Sequence, residues 1–144
     1  MWFDKHNPRV VYMDIRRETY VCPRAHGRVR TIVVDPDILG DFTAIPFPDE
    51  TFSVVVFDPP HLERKTQCNI TKHYGVLTGD WRSMLRAGFA ECFRVLRPGG
   101  VLIFKWSECQ CPVREILDLT PVAPLFGHHS GKRSNTHWLA FMKD

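Results

Sequence analysis

The sequence predicts an α/β fold organised around a buried sheet of the parallel type, and three stretches predict it. The first is Val54-Val55-Val56-Phe57-Asp58-Pro59-Pro60-His61. Four consecutive β-branched or aromatic residues read as a strand covered on both faces, as in a parallel sheet. The prolines then end it, because each lacks an N–H and fixes φ. The second is Trp81, Leu85, Phe89, Cys92 and Leu96, an apolar stripe at helical spacing. Arg97-Pro98-Gly99-Gly100 ends that helix and leads into another buried strand, Val101-Leu102-Ile103-Phe104-Lys105-Trp106. The third is the pair Leu125-Phe126-Gly127 and His137-Trp138-Leu139-Ala140-Phe141-Met142, two antiparallel strands joined by a polar tip.

Taken in order, Pro8 breaks any helix near the start, and Val10-Val11-Tyr12-Met13-Asp14 reads as a strand ending in an acid. Residues 16–39 form an insertion. Thr19–Cys22 and Arg30–Val34 are β-prone around a turn at Pro23–Arg28, so a hairpin is expected. It carries Arg16, Arg17, Arg24, Arg28 and Arg30, which suit either phosphate contact or a solvated face. Cys22 and His26 have no second pair at zinc-like spacing, so no metal site is expected. Asp41-Phe42 falls at a strand end, and Phe47–Phe52 is a turn feeding the buried strand. Residues 62–79 show no periodicity and read as a mobile active-site loop or as plain surface. As a lid, the loop brings Lys65, Lys72 and Tyr74 to phosphate or base. Asp80 caps the following helix, and Cys92 sits in its core face. Pro112 starts a short helix with Val113, Ile116 and Leu117 inward. At the final tip, Lys132 and Arg133 suit phosphate and plain surface equally, and His128 with His129 reads as a solvated pair.

A length of 144 residues fits one domain, 1–144, with one substantial core. No apolar run approaches the roughly 18 residues of a membrane-spanning helix, and the first residues lack the regions of a signal peptide. A net charge of +3 permits a nucleic-acid partner without arguing for one. Five cysteines without framework spacing point to reduced thiols and a cytoplasmic protein.

Asp58 stands where the ligand crevice of an open α/β sheet lies, beyond the carboxyl end of a strand. The corner suits transfer to an aromatic amine, whose lone pair is delocalised into its ring. A carboxylate accepts one amine hydrogen, the Pro59 carbonyl held by Pro60 accepts the other, and a flat side chain at position 61 stacks on the base.

Asp-Pro-Pro followed by an aromatic residue is the hallmark of S-adenosylmethionine-dependent amino-methyltransferases. Here it reads Asp58-Pro59-Pro60-His61, with Asp41-Phe42 and Ile45-Pro46-Phe47-Pro48-Asp49 before it and Phe93 to Leu102 after it. From Asp14 to Trp106 the chain resembles class I methyltransferases of this type, and most of all the small phage and prophage DNA methyltransferases. His61 departs from the family's aromatic residue. The resemblance implies a Rossmann-like class I methyltransferase sheet, mostly parallel with an antiparallel last strand. It implies S-adenosylmethionine as cofactor and Asp58, Pro59, Pro60 and His61 as the catalytic corner. Asp14 then bonds the cofactor ribose, Ile15 lies beside its adenine, Asp41 bonds the adenine amino group, Phe42 packs on the ring, and Asp58 also borders the cofactor. The implied activity is methylation of an exocyclic amino group of a nucleobase, adenine in DNA before RNA.

Such folds open with a strand and a Gly-rich loop, and no such loop precedes Asp14, so an N-terminally truncated domain is expected. Two other functions stay open. The chain is a non-catalytic methyltransferase fold acting as a homo-oligomer or partner-binding module, or an enzyme acting on RNA or a small molecule.

Overall fold

The computed structural model describes residues 4, 6–23, 28–63, 75–129 and 135–144. The chain divides into two compact units, Met1–Asp41 and Phe42–Asp144.

In the first unit, β1 (Met13–Asp14) pairs in parallel with β4 (Ile38–Leu39). The strand expected from Val10 is shorter than its composition suggests. Ahead of Met13, Tyr12 is held by a bond from its N–H to the Asp37 carboxylate (2.8 Å) and one from the Ile38 N–H to its carbonyl (3.1 Å). Between them, β2 (Glu18–Pro23) and β3 (Val29–Val34) form the expected hairpin, in register from Glu18↔Val34 to Pro23↔Val29. Cys22 and Ile32 are its buried apolar residues.

The second unit contains β5 (Phe52–Phe57), α1 (Trp81–Val95), β6 (Leu96–Ser107), α2 (Val113–Leu117), β7 (Phe126–His129) and β8 (Thr136–Met142). The sheet order is β5-β6-β8-β7. β5 and β6 are parallel, and β8 is antiparallel to both β6 and β7. Three strands therefore share one direction, and β8, the last in the chain, runs against them. This is a Rossmann-like sheet, mostly parallel with a reversed last strand, as expected.

Strand β6 shows the period of two that a half-covered strand needs: Leu102, Phe104 and Trp106 are buried, and the residues between them are less so. Register carries the same face across to Phe57 on β5 and Phe141 on β8. Onto it, α1 lays Trp81, Leu85, Phe89 and Cys92. Phe89 sits 4.9 Å from Phe104 and 5.5 Å from Phe57, ring centre to ring centre, in tilted and edge-on contacts. Ile116 of α2 joins the same cluster. Each such side chain contributes about 1.5–3 kcal/mol by leaving water. The Asp80 carboxylate accepts from the Ser83 N–H (3.2 Å), capping α1 as expected.

Two expectations are corrected. Leu96 continues the helical stripe in sequence, but α1 ends at Val95 and Leu96 is extended (φ −75°, ψ 141°). Pro98 disfavours helical geometry just ahead of it, and Leu96 stays buried as the first residue of β6, paired with Phe52. The run from Val54 is also not covered on both faces. Val54 is 54% exposed, whereas Phe57 is buried. Among the described residues β5 pairs only with β6, and the described helices pack on the Phe57 face.

The turn before β5 is tied down by Arg94, in the last turn of α1. Its guanidinium donates to the carbonyls of Ile45 and Phe47 (2.9 Å each) and to Asp49 (2.7 Å). Glu91 accepts from the same guanidinium and from the Ile45 N–H, each at 2.7 Å.

Gly88 lets Phe42 and Phe57 press onto α1. A Cβ there would stand 2.6 Å from Phe42 Cδ2 and 2.9 Å from Phe57 Cζ. Gly88→Ala gains about 0.5–1 kcal/mol of helix propensity but forces two core rings aside, which costs about 1–3 kcal/mol. We expect a net loss of stability, read as a lower melting temperature in thermal denaturation.

Candidate functional site

The site grows from strand register. Phe57 of β5 pairs with Phe104 of β6, so the next residues, Asp58 and Lys105, emerge side by side at the carboxyl end of the sheet. The Lys105 ammonium donates to both oxygens of Asp58, at 3.0 Å to Oδ1 and 2.8 Å to Oδ2. Both side chains are about a quarter exposed (22% and 25%). Lys105 in turn pairs across the sheet with Trp138 of β8, and its Nζ lies 5.9 Å from that ring's centre.

Beyond Asp58 the corner is rigid and partly sunk. Pro59 is buried. Pro60 abuts Gly75, whose φ of +78° favours glycine, and a Cβ there would come within 3.2 Å of Pro60 Cγ. His61 is half-buried, its ring nearly perpendicular (78°) to that of Trp106 at 6.3 Å. Trp106 is itself fixed by donating from Nε1 to the Cys111 carbonyl (3.0 Å). Past the corner, the Leu62 carbonyl accepts from the Leu77 N–H, and the Glu63 N–H donates to Gln110 Oε1, both at 2.7 Å. Burial lowers the pKa of His61; Asp58 opposes this and Lys105 adds to it. The imidazole is therefore neutral at neutral pH and presents an uncharged ring.

The arrangement offers a carboxylate held in one direction by a cation, beside a proline corner with little freedom and a neutral flat ring. It can accept hydrogens from a nitrogen donor. Lys105 went unnoticed in sequence, although a lysine interrupting the apolar run Val101–Trp106 is the signal that marks it.

In the first unit, the Asp14 carboxylate is already engaged. Oδ1 accepts from the Arg16 N–H (2.9 Å) and Nε (3.2 Å), and Oδ2 accepts from Arg16 Nη2 (3.3 Å). With two lone-pair directions per oxygen, those bonds leave one direction on Oδ2, whereas a vicinal diol asks for two. Ile15 is 68% exposed. Arg17 pairs with Asp35 (3.1 Å) and donates to the Pro36 carbonyl (2.6 Å). Two of the five arginines weighed for phosphate contact are thus bound within their own unit. Arg28 and Arg30 are exposed, and Arg24 lies outside the described residues.

Asp41 is partly buried and lies two residues beyond the end of β4. Phe42 packs 5.3 Å from Phe57, so its ring serves the core of the second unit. Lys65, Lys72 and Tyr74, most of the loop expected at 62–79, and Lys132 and Arg133 at the final tip lie outside the described residues. Burial pushes the Cys92 thiol up to about 12 and the Cys111 thiol up to about 11, so both are neutral. Among the described residues no group of three or more His, Cys, Asp or Glu could hold a metal ion. No described helix is long and apolar enough to cross a membrane.

The chain is similar in structure to the PH0226 protein of Pyrococcus horikoshii, with a TM-score of 0.54 at 14% identity over 74% of this chain and 58% of that one. It also aligns with TTHA0409 of Thermus thermophilus, a candidate DNA modification methylase, at a TM-score of 0.47 and 19% identity over 73% of this chain and 52% of that one. The same protein in complex with S-adenosyl-L-methionine gives 0.45 and 18%, over 72% and 53%. The chain therefore spans between half and six-tenths of the length of these proteins. The likeness to PH0226 shows a shared fold. No family model matches the chain, and no curated protein does.

The state of His61 sets a pH dependence. In the unfolded chain its pKa is near the ordinary 6.5; in the folded chain it is lower. Below that ordinary value the unfolded chain binds the proton more readily, so acidification favours unfolding. We expect the fall in melting temperature from neutral pH to mildly acidic pH to be smaller in His61→Phe than in the wild type.

Proposed function

We propose that this chain is an S-adenosylmethionine-dependent methyltransferase acting on the exocyclic amino group of a nucleobase, adenine in DNA. The observation that carries the reading is the Asp58-Pro59-Pro60-His61 corner at the carboxyl end of β5, its carboxylate held by Lys105. Bound S-adenosylmethionine supplies a methyl group already activated by a sulfonium. The chain's part is then positioning, which is where most of such a rate enhancement lies. Asp58 accepts one hydrogen of the amine and the Pro59 carbonyl accepts the other. This turns the nitrogen lone pair out of the base ring toward the methyl carbon, whose bond to sulfur breaks as its bond to nitrogen forms. The proton the nitrogen then sheds passes through Asp58 to solvent. The neutral ring of His61 provides a stacking face for the base.

The cofactor roles that the resemblance implies for Asp14, Ile15, Asp41 and Phe42 belong to this reading, as do phosphate or base contacts by Lys65, Lys72, Tyr74, Lys132 and Arg133. Asp14 meets the ribose with both hydroxyls only if Arg16 yields one of its bonds.

A second reading is favoured by one observation: β5 pairs only with β6 among the described residues, and its Val54 is 54% exposed. Unpaired strand edges invite association, so a non-catalytic oligomer or partner-binding module is the competing reading.

Calorimetric titration with S-adenosylmethionine and S-adenosylhomocysteine separates the two. The enzyme reading expects micromolar binding, weakened in Asp14→Ala and Asp41→Ala. Folded protein that binds neither compound sinks it. Asp58→Ala, which removes the acceptor, should lose methyl transfer to DNA on the order of 10²-fold or more, with a smaller loss of cofactor binding.

A further inference from the structure

Lys105 and Asp58 together form a donor beside an acceptor at the end of the sheet, 2.8–3.0 Å apart. Their alignment is imposed by backbone register, since Phe57↔Phe104 fixes the step before it. The pair is about a quarter exposed and so open to a ligand from one side. A carboxylate accepts in four directions and an ammonium donates through three N–H groups, so a ligand edge that carries a donor beside an acceptor can exchange bonds with both.

An acceptor next to a donor is the complement of a base edge on which an amino group adjoins an unprotonated ring nitrogen. Adenine presents that pattern twice, with N6–H beside N1 and beside N7, and cytosine presents it with N4–H beside N3. Guanine's amine adjoins N1–H on one side, which would aim an N–H at the ammonium, and an unprotonated N3 on the other, so the pair disfavours guanine on its N1 side. We infer that Lys105 is a specificity-determining residue that donates to the ring nitrogen beside the target amine while Asp58 accepts from the amine itself. The inference rests on the methyltransferase reading and deepens it: it assigns the ring nitrogen read beside the amine, N1 in adenine and N3 in cytosine. A net-neutral pair also places no net charge of either sign beside the nitrogen as it becomes cationic.

The test replaces one atom of the base. Single-stranded oligonucleotides of randomised sequence are made with deoxyadenosine or with 1-deaza-2′-deoxyadenosine, in which C–H stands for N1, and methyl transfer to each is measured as kcat/KM. The wild type should prefer deoxyadenosine by about 10- to 100-fold, the range of one good base contact. Lys105→Met should methylate both poorly and nearly equally, and Lys105→Arg, which keeps a donor, should restore part of the preference. A merely structural lysine would lower both rates and leave their ratio unchanged.

A wild-type ratio near one overturns the inference while leaving the methyltransferase reading intact, whether or not Lys105→Met folds. A wild-type preference that persists undiminished in folded Lys105→Met overturns it as well. Absence of methyl transfer by the folded wild type to any of these oligonucleotides removes the methyltransferase reading, and this inference with it.

Discussion

Parallel pairing of β5 with β6 is the constraint on which the second unit depends. It is held by Phe57, Phe89, Phe104 and Phe141, which only pack as one cluster when the two strands keep the register Phe57↔Phe104. The same register decides what leaves the sheet one residue later. A slip of one residue would send Lys105 to the helix face and Phe104 to the open face, because the side-chain period of a strand is two. Core packing and site geometry are therefore one decision. The Asp58–Lys105 pair is partly solvated, and such pairs add little to stability. Its consequence is direction: it fixes where a carboxylate points.

The rest of the corner restricts motion by different means. Pro59 and Pro60 fix the backbone, Gly75 admits Pro60 closely, and Trp106 is anchored through Cys111 beneath His61. Bonds at Leu62 and Glu63 hold the chain where it leaves the corner. The acid in the first unit is held in a more local way. Asp14 is engaged by Arg16, two residues on, through a turn that needs no distant partner. One carboxylate is aimed by tertiary structure, the other is neutralised by its own neighbourhood, and the two differ in how readily a ligand can claim them.

The open side of the sheet is the other consequence of this architecture. Val54, Phe126 and Met142 are exposed on the strands, opposite the face that α1 and α2 cover. Edge strands are usually blunted by charge, proline or a bulge. β5 has a register irregularity between Phe52 and Val54, but from Val54 to Phe57 it carries no charge. Its edge resembles a strand that expects a neighbour, which is why the oligomer reading keeps a physical basis.

Much of the second unit is determined by sequence alone. The continuous apolar run from Val101 and the period of 3.6 from Trp81 set strand and helix, Asp80 sets where the helix starts, and Asp58-Pro59-Pro60 sets where β5 must stop, because these depend on local sterics and local composition. The expected hairpin, the short α2 and the final antiparallel pair are legible for the same reason, whereas the reversal of the last strand against β6 is implied by the family resemblance. Composition could not say whether Val54 would be covered, since burial depends on what packs against a strand and not on the strand. Nor could it say that Asp14 would be met by Arg16, or that Phe42 would serve a core. Lys105 is the clearest case. Its sequence separation from Asp58 carries no signal, and only the pairing of two strands brings an ammonium to a carboxylate, because register is a property of the sheet and not of either strand.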